Sequence, residues 1–121
     1  MTNLSVKSEL EAEVNKLARA TTINVLKGVV LATPVDTGRA RGNWQVSISR
    51  PIESQTNNND KGGGSTISRG AAKTLAQKKV KYPIFWVVNN LPYIEELNKG
   101  TSTQAPSKFV ETVIKRVENG S

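Results

Sequence analysis

The sequence predicts an α+β fold: a long N-terminal helix and a C-terminal helix packed on a small, mainly antiparallel sheet, with a flexible inserted loop at 51–65. Three observations carry this. Apolar residues recur at helical spacing over 6–32, and again from Phe109 to Val117. Between them, Trp44, Val46 and Ile48 alternate with Gln45, Ser47 and Ser49, which is the period of a half-buried strand. Residues 82–90 form an aromatic and β-branched run bounded by turn residues, which suits a strand covered on both faces. At 121 residues the chain is one domain, without internal repeats.

Each element has a local cause. Ser8 and Glu11 stand at capping-box spacing near the start of the first helix. Val6, Leu10, Val14, Leu17 and Thr21 then form a single stripe, which places the first half on a surface. From Ile23 to Leu31 the apolar residues spread around the circumference, so the second half is enclosed by the core or by a neighbouring subunit. Pro34 ends the helix, because the residue before proline avoids helical dihedrals. Asp36, Thr37 and Gly38 read as a tight turn with Gly38 supplying a positive φ. Arg39 and Arg41 are expected on the same side of an extended segment that leads into the strand, with Trp44 entering the core.

After Pro51, residues 53–66 (ESQTNNNDKGGGST) are almost free of apolar side chains and read as a mobile loop or arm. A helix is expected over 68–80, with Ser68 as its cap. Tyr93 to Asn98 reads as one helical turn closed by Gly100, and the last helix is expected to hold Pro106 in its first turn.

Composition excludes several chemistries. With no cysteine and no histidine, the chain lacks thiol nucleophiles, thiolate metal sites and the commonest general base. Gly62-Gly63-Gly64 has no following Gly-Lys-Ser/Thr and fits neither glycine-rich phosphate motif. Asp36-Thr37-Gly38 matches an aspartic-protease triplet. That chemistry needs a second carboxylate, and here the flanking residues are arginines. No catalytic residue, cofactor or metal is expected, and the chain reads as a non-enzyme. Its first residues are polar and lack an apolar signal core, so a soluble chain assembled in a cytoplasm is expected, without a membrane partner.

The net charge of +7 is uneven: residues 50–81 carry seven cations against two carboxylates. Such a segment is a solvated face, or one that attracts phosphate or acidic protein surfaces. One reading of the chain is therefore a small basic nucleic-acid-binding protein using Lys73, Lys78, Lys79 and Lys81 as phosphate contacts. Few aromatic residues are free to stack on bases, which counts against it.

PVDTGRARGNW at 34–44, followed at a distance by NNLPYIEELNKGTSTQAPSKFV at 89–110, resembles the paired signature of the tail-completion (neck) proteins of long-tailed bacteriophages. The matching residues are Pro34, Asp36, Thr37, Gly38, Arg39, Arg41 and Trp44, then Asn89, Tyr93, Leu97, Gly100, Thr101, Ser102, Gln104, Ala105, Pro106, Phe109 and Val110. Asn98 stands where that family often has glutamate, and Lys108 where it often has glycine. The resemblance implies a structural virion protein related to the ring-forming tail-terminator group, hexameric on that pattern. Its implied partners are further copies of itself, a head connector or head-closure protein, and a tail terminator or tail tube protein, with DNA passing through the lumen. On this reading Arg39 or Arg41 pairs with Glu95 or Glu96, within a subunit or between subunits, and 51–65 is an arm that orders on a neighbouring protein.

Overall fold

The computed structural model describes residues 6–77, 82–100 and 108–120. It contains helix α1 (Val6–Ala32), the single turn α2 (Arg39–Gly42), strand β1 (Trp44–Ile48), helix α3 (Gly64–Ala76), strand β2 (Phe85–Asn89), and helices α4 (Ile94–Asn98) and α5 (Phe109–Glu118). This is the α+β arrangement expected, with the long and C-terminal helices against an antiparallel pair of strands.

The two strands pair from Trp44 opposite Asn89 to Ile48 opposite Phe85, and Ser49 N–H continues the ladder to the Ile84 carbonyl at 2.8 Å. Trp44 and Val46 face inward with Val87, and meet Leu26, Val29 and Val30 of α1 and Phe109 and Val113 of α5 in one core. α3 closes the same core at Gly70, where an added Cβ would collide with the Leu26 side chain and press on Val46. Burial of this cluster is the main driving force for the fold.

The expectation that 82–90 is covered on both faces is not met. Ile84 is 63 % exposed and Trp86 39 %, because the helices that form the core lie against one face of the sheet only. α1 behaves in two halves, as its pattern predicts. Thr22 is the first buried residue among its described side chains, and Leu26, Val29 and Val30 follow. At roughly 100° per residue, the stripe of Leu10, Val14 and Leu17 lies about 140° around the helix from that buried face. Leu17 is 68 % exposed. A 27-residue helix is about 40 Å long, whereas a five-residue strand covers about 17 Å, so α1 outruns the sheet it packs on. No described helix is long and apolar enough to cross a membrane.

Three boundaries differ from expectation. α3 starts at Gly64 rather than Ser68, because the Asp60 carboxylate, not Ser68, caps it. Asp60 Oδ1 accepts from Gly63 N–H at 3.0 Å, and Oδ2 accepts from the Thr66 N–H at 2.7 Å and its hydroxyl at 2.8 Å. α5 starts at Phe109, beyond Pro106, which itself lies outside the described residues. Its cap is Lys108, with φ 59°, a left-handed conformation that disfavours side chains. Residues 39–42 form a helical turn, so Arg39 and Arg41 do not share a side of an extended segment; Gly38, at φ 81°, bends the chain into that turn.

The 51–63 segment has no helix or strand, as a connection should, but it is fastened to its own chain. Thr56 N–H donates to Asn43 Oδ1 at 2.9 Å, Asn90 Nδ2 reaches the Ile52 carbonyl at 2.7 Å, and Asp60 N–H donates to the Gly38 carbonyl at 2.9 Å. It is a strap over the corner between α1 and β1, and its far end caps α3.

Candidate functional site

The Pro34–Trp44 corner is built from the end of α1 outward. Thr33 N–H makes the last helical hydrogen bonds, to Val29 and Val30 carbonyls, and Pro34 has no N–H to continue them. The Thr33 hydroxyl donates to the Val29 carbonyl at 2.5 Å and accepts the Trp44 indole N–H at 2.8 Å. Trp44 is thus fixed both by the core and by the stump of α1. Gly38 sits under the strap so closely that a Cβ there would stand 2.5 Å from the Lys61 nitrogen.

Arg41 is the keystone of this corner. Its Nε donates to the Thr33 carbonyl, one terminal nitrogen to the Leu31 carbonyl and the other to the Lys61 carbonyl, each at 2.9 Å. The rigid fork of a guanidinium can serve three such acceptors, where an ammonium is a point charge. α1 has no basic residue in its own last turn, so the cation that complements the helix C-terminus comes from nine residues beyond it. Arg39 reaches out to Gln55 Oε1 at 3.0 Å, and its backbone N–H donates to the Thr37 hydroxyl oxygen at 3.3 Å. Asn43, fully buried, donates to the Arg39 carbonyl at 2.9 Å while holding Thr56.

The second motif half meets this corner. Asn89 Nδ2 donates to the Ala40 carbonyl at 2.9 Å. Pro34, Val35, Asp36, Thr37 and Ala40 share one cleft of about 190 Å³ with Tyr93 and Leu97. Asp36 and Thr37 are exposed at its rim, and Tyr93 is exposed beside them. Glu95 and Glu96 lie on the solvent side of α4, where Glu96 is 3.6 Å from Lys99, a surface pair of little energetic weight. The pairing of Arg39 or Arg41 with these glutamates is therefore not found among the described residues: Arg39 is committed to Gln55 and Arg41 to backbone carbonyls. Gly100, at φ 93°, follows the end of α4, and Phe109 is buried in the core.

α4 and α5 are joined through Asn98. Its side chain accepts the Val110 N–H at 2.9 Å and donates to Glu111 Oε1 at 2.6 Å, and its carbonyl accepts the Lys108 N–H. The Asn98 amide beside Glu111 holds that carboxyl below its ordinary value. For Asp60, burial pushes the pKa up, but the hydrogen bonds from Thr66 and Gly63 and the charge of Arg69 outweigh it and leave the group below its ordinary value.

Of the four lysines expected to contact phosphate, Lys73 is described: its ammonium donates to the Val46 carbonyl at 2.9 Å. Lys78, Lys79 and Lys81 lie outside the described residues, as do Thr101, Ser102, Gln104 and Pro106 of the second motif half. Sequence reasoning missed Asn43 and Asp60 as structural centres. The available signal was an aspartate placed just ahead of a glycine run and a helical pattern.

No family model, no curated protein and no solved structure matches this chain.

Proposed function

We propose that this chain is a structural neck protein of a long-tailed bacteriophage virion, one that completes the tail and joins it to the head connector as a ring of identical subunits. The observation that carries the reading is the convergence of the two signature halves. Residues 34–40 and 93–97 are separated by more than fifty positions, yet they line one cleft and are tied by Asn89 to the Ala40 carbonyl. A further support is the position of Lys108. The family often has glycine there, and the backbone adopts the left-handed conformation that glycine favours.

A ring subunit needs apolar surface beyond its own core, and it sets one patch against a different patch of the next copy. The exposed Leu10, Val14 and Leu17 stripe of α1 and the bare sheet face at Ile84 and Trp86 are two such patches. Either would be expensive to leave in water on a permanent monomer. Between copies, the exposed Glu95 is the carboxylate that meets an arginine of a neighbour on this reading.

The deciding experiment is production of phage particles from which this protein has been deleted. Separate filled heads and finished tails are the expected products, seen by electron microscopy. Normal joined particles would rule the joining role out. Sedimentation of the wild-type protein and Leu17→Glu over a concentration series tests the assembly surface, and the substituted protein should associate less.

A further inference from the structure

We propose that the cleft between α3 and β1 is a binding site for an aliphatic carboxylate carried by a partner protein, a glutamate side chain being the simplest case. The cleft has a volume of about 340 Å³ and lies on the far side of β1 from β2. Gly42, Trp44, Val46 and Gly70 are among its lining residues and give a methylene stem apolar surface to lie on. Arg69 and Lys73 stand on its α3 wall, one helical turn apart and therefore on the same face.

These two cations have capacity to spare. Lys73 spends one of its three N–H donors on the Val46 carbonyl, which anchors the ammonium beside β1. Among the described residues the Arg69 guanidinium has no hydrogen-bond or ion-pair partner. Its charge is felt at Asp60, but both Asp60 oxygens are filled by Thr66 and Gly63. Among the described residues no carboxylate lines the cleft itself. A fork and a point charge converging over an apolar bed suit a planar carboxylate on a hydrocarbon stem. A phosphodiester offers no such stem, and a nucleic-acid duplex is far too wide to enter. Gln45, Thr56 and Asn58 border the opening with amide and hydroxyl groups that match a peptide backbone. The site is separate from the cleft shared by the motif halves and does not rest on the neck reading.

The test uses the full-length, isotope-labelled protein titrated with N-acetyl-glutamate N-methylamide, its glutamine isostere, glutarate and inorganic phosphate. The glutamate compound should shift the Gly42, Val46 and Gly70 amides and the Trp44 indole saturably, and the glutamine isostere should bind about tenfold more weakly or worse. Arg69→Gln should weaken the glutamate compound by a similar factor. Because Lys73 also holds the Val46 carbonyl, Arg69→Gln is the deciding variant, and unchanged amide shifts outside the cleft serve as its folding control. Equal binding of the two isosteres, or an unchanged affinity in Arg69→Gln, overturns the proposal. Phosphate binding as tightly at the same amides overturns it in favour of an oxyanion site, and tighter glutarate binding overturns the protein-borne source in favour of a free dicarboxylate.

Discussion

Replacing Arg41 tests the wiring of the corner most directly. The guanidinium joins three segments that are remote in sequence: the end of α1 at Leu31 and Thr33, the α2 turn that carries it, and the strap at Lys61. A hydrogen bond from a charged donor has a net worth of about 1.5–3 kcal/mol when buried. Only the bond from Nε is partly buried and the other two are exposed, so we count the first near the lower end and the others at about 0.5 kcal/mol each. Arg41→Ala should therefore cost about 2.5 kcal/mol. For a domain of 121 residues each kcal/mol moves the thermal midpoint by about 4 °C, which gives a fall of about 10 °C by calorimetry. Arg41→Lys keeps the charge but reaches one carbonyl, and should lose about 2 kcal/mol, or about 8 °C. If the lysine variant melts within about 2 °C of wild type, a point charge at the helix end is sufficient and the three-way clamp is not what stabilises the corner.

The other substitutions probe single joints. Lys108→Gly relieves a left-handed residue and should raise stability by about 1 kcal/mol in chemical denaturation; a loss would mean that the lysine side chain makes a contact worth more than the strain. Asp60→Asn weakens the cap of α3 and should cost about 1 kcal/mol at neutral pH. Because the folded-state pKa of Asp60 lies below its ordinary 3.8, the aspartate's advantage is complete above that value and drains away as the pH falls through it toward the folded pKa. Denaturation of both proteins from pH 6 down to about pH 3 should show the gap closing, and a gap independent of pH would refute the assignment.

Much of the architecture was legible because it rests on periodicity. The alternation of Trp44, Val46 and Ile48 and the compact stripe of Phe109, Val113 and Val117 identify elements whose apolar faces meet in the core. The change of pattern within α1 at Thr21 separates its exposed half from its buried half in the structure. Illegible were the things that depend on polar side chains reaching across the chain. No local pattern tells that the Asp60 N–H will bond the Gly38 carbonyl, or that Asn43 will be buried between the Arg39 carbonyl and Thr56. The apolar run at 82–90 misled for a related reason. A continuous apolar strand signals that both faces are covered, but it does not say whether the cover belongs to the same chain. Arg39 and Arg41 look alike in sequence, yet one is exposed toward Gln55 and the other is absorbed into the backbone of the corner.

The pairing of Ser49 with Ile84 has a topological consequence. The chain leaves the sheet at one member of a hydrogen-bonded pair and returns at the other, so the whole of 50–83 is an excursion between adjacent points. Its length can change without shifting the register of the two strands, since the gate stays closed whatever lies beyond it. Five of the seven net positive charges sit inside that excursion. The surface charge of this fold can therefore be rewritten by exchanging a single inserted module, provided the replacement still offers a carbonyl to Arg41 and an apolar face to Leu26 and Val46.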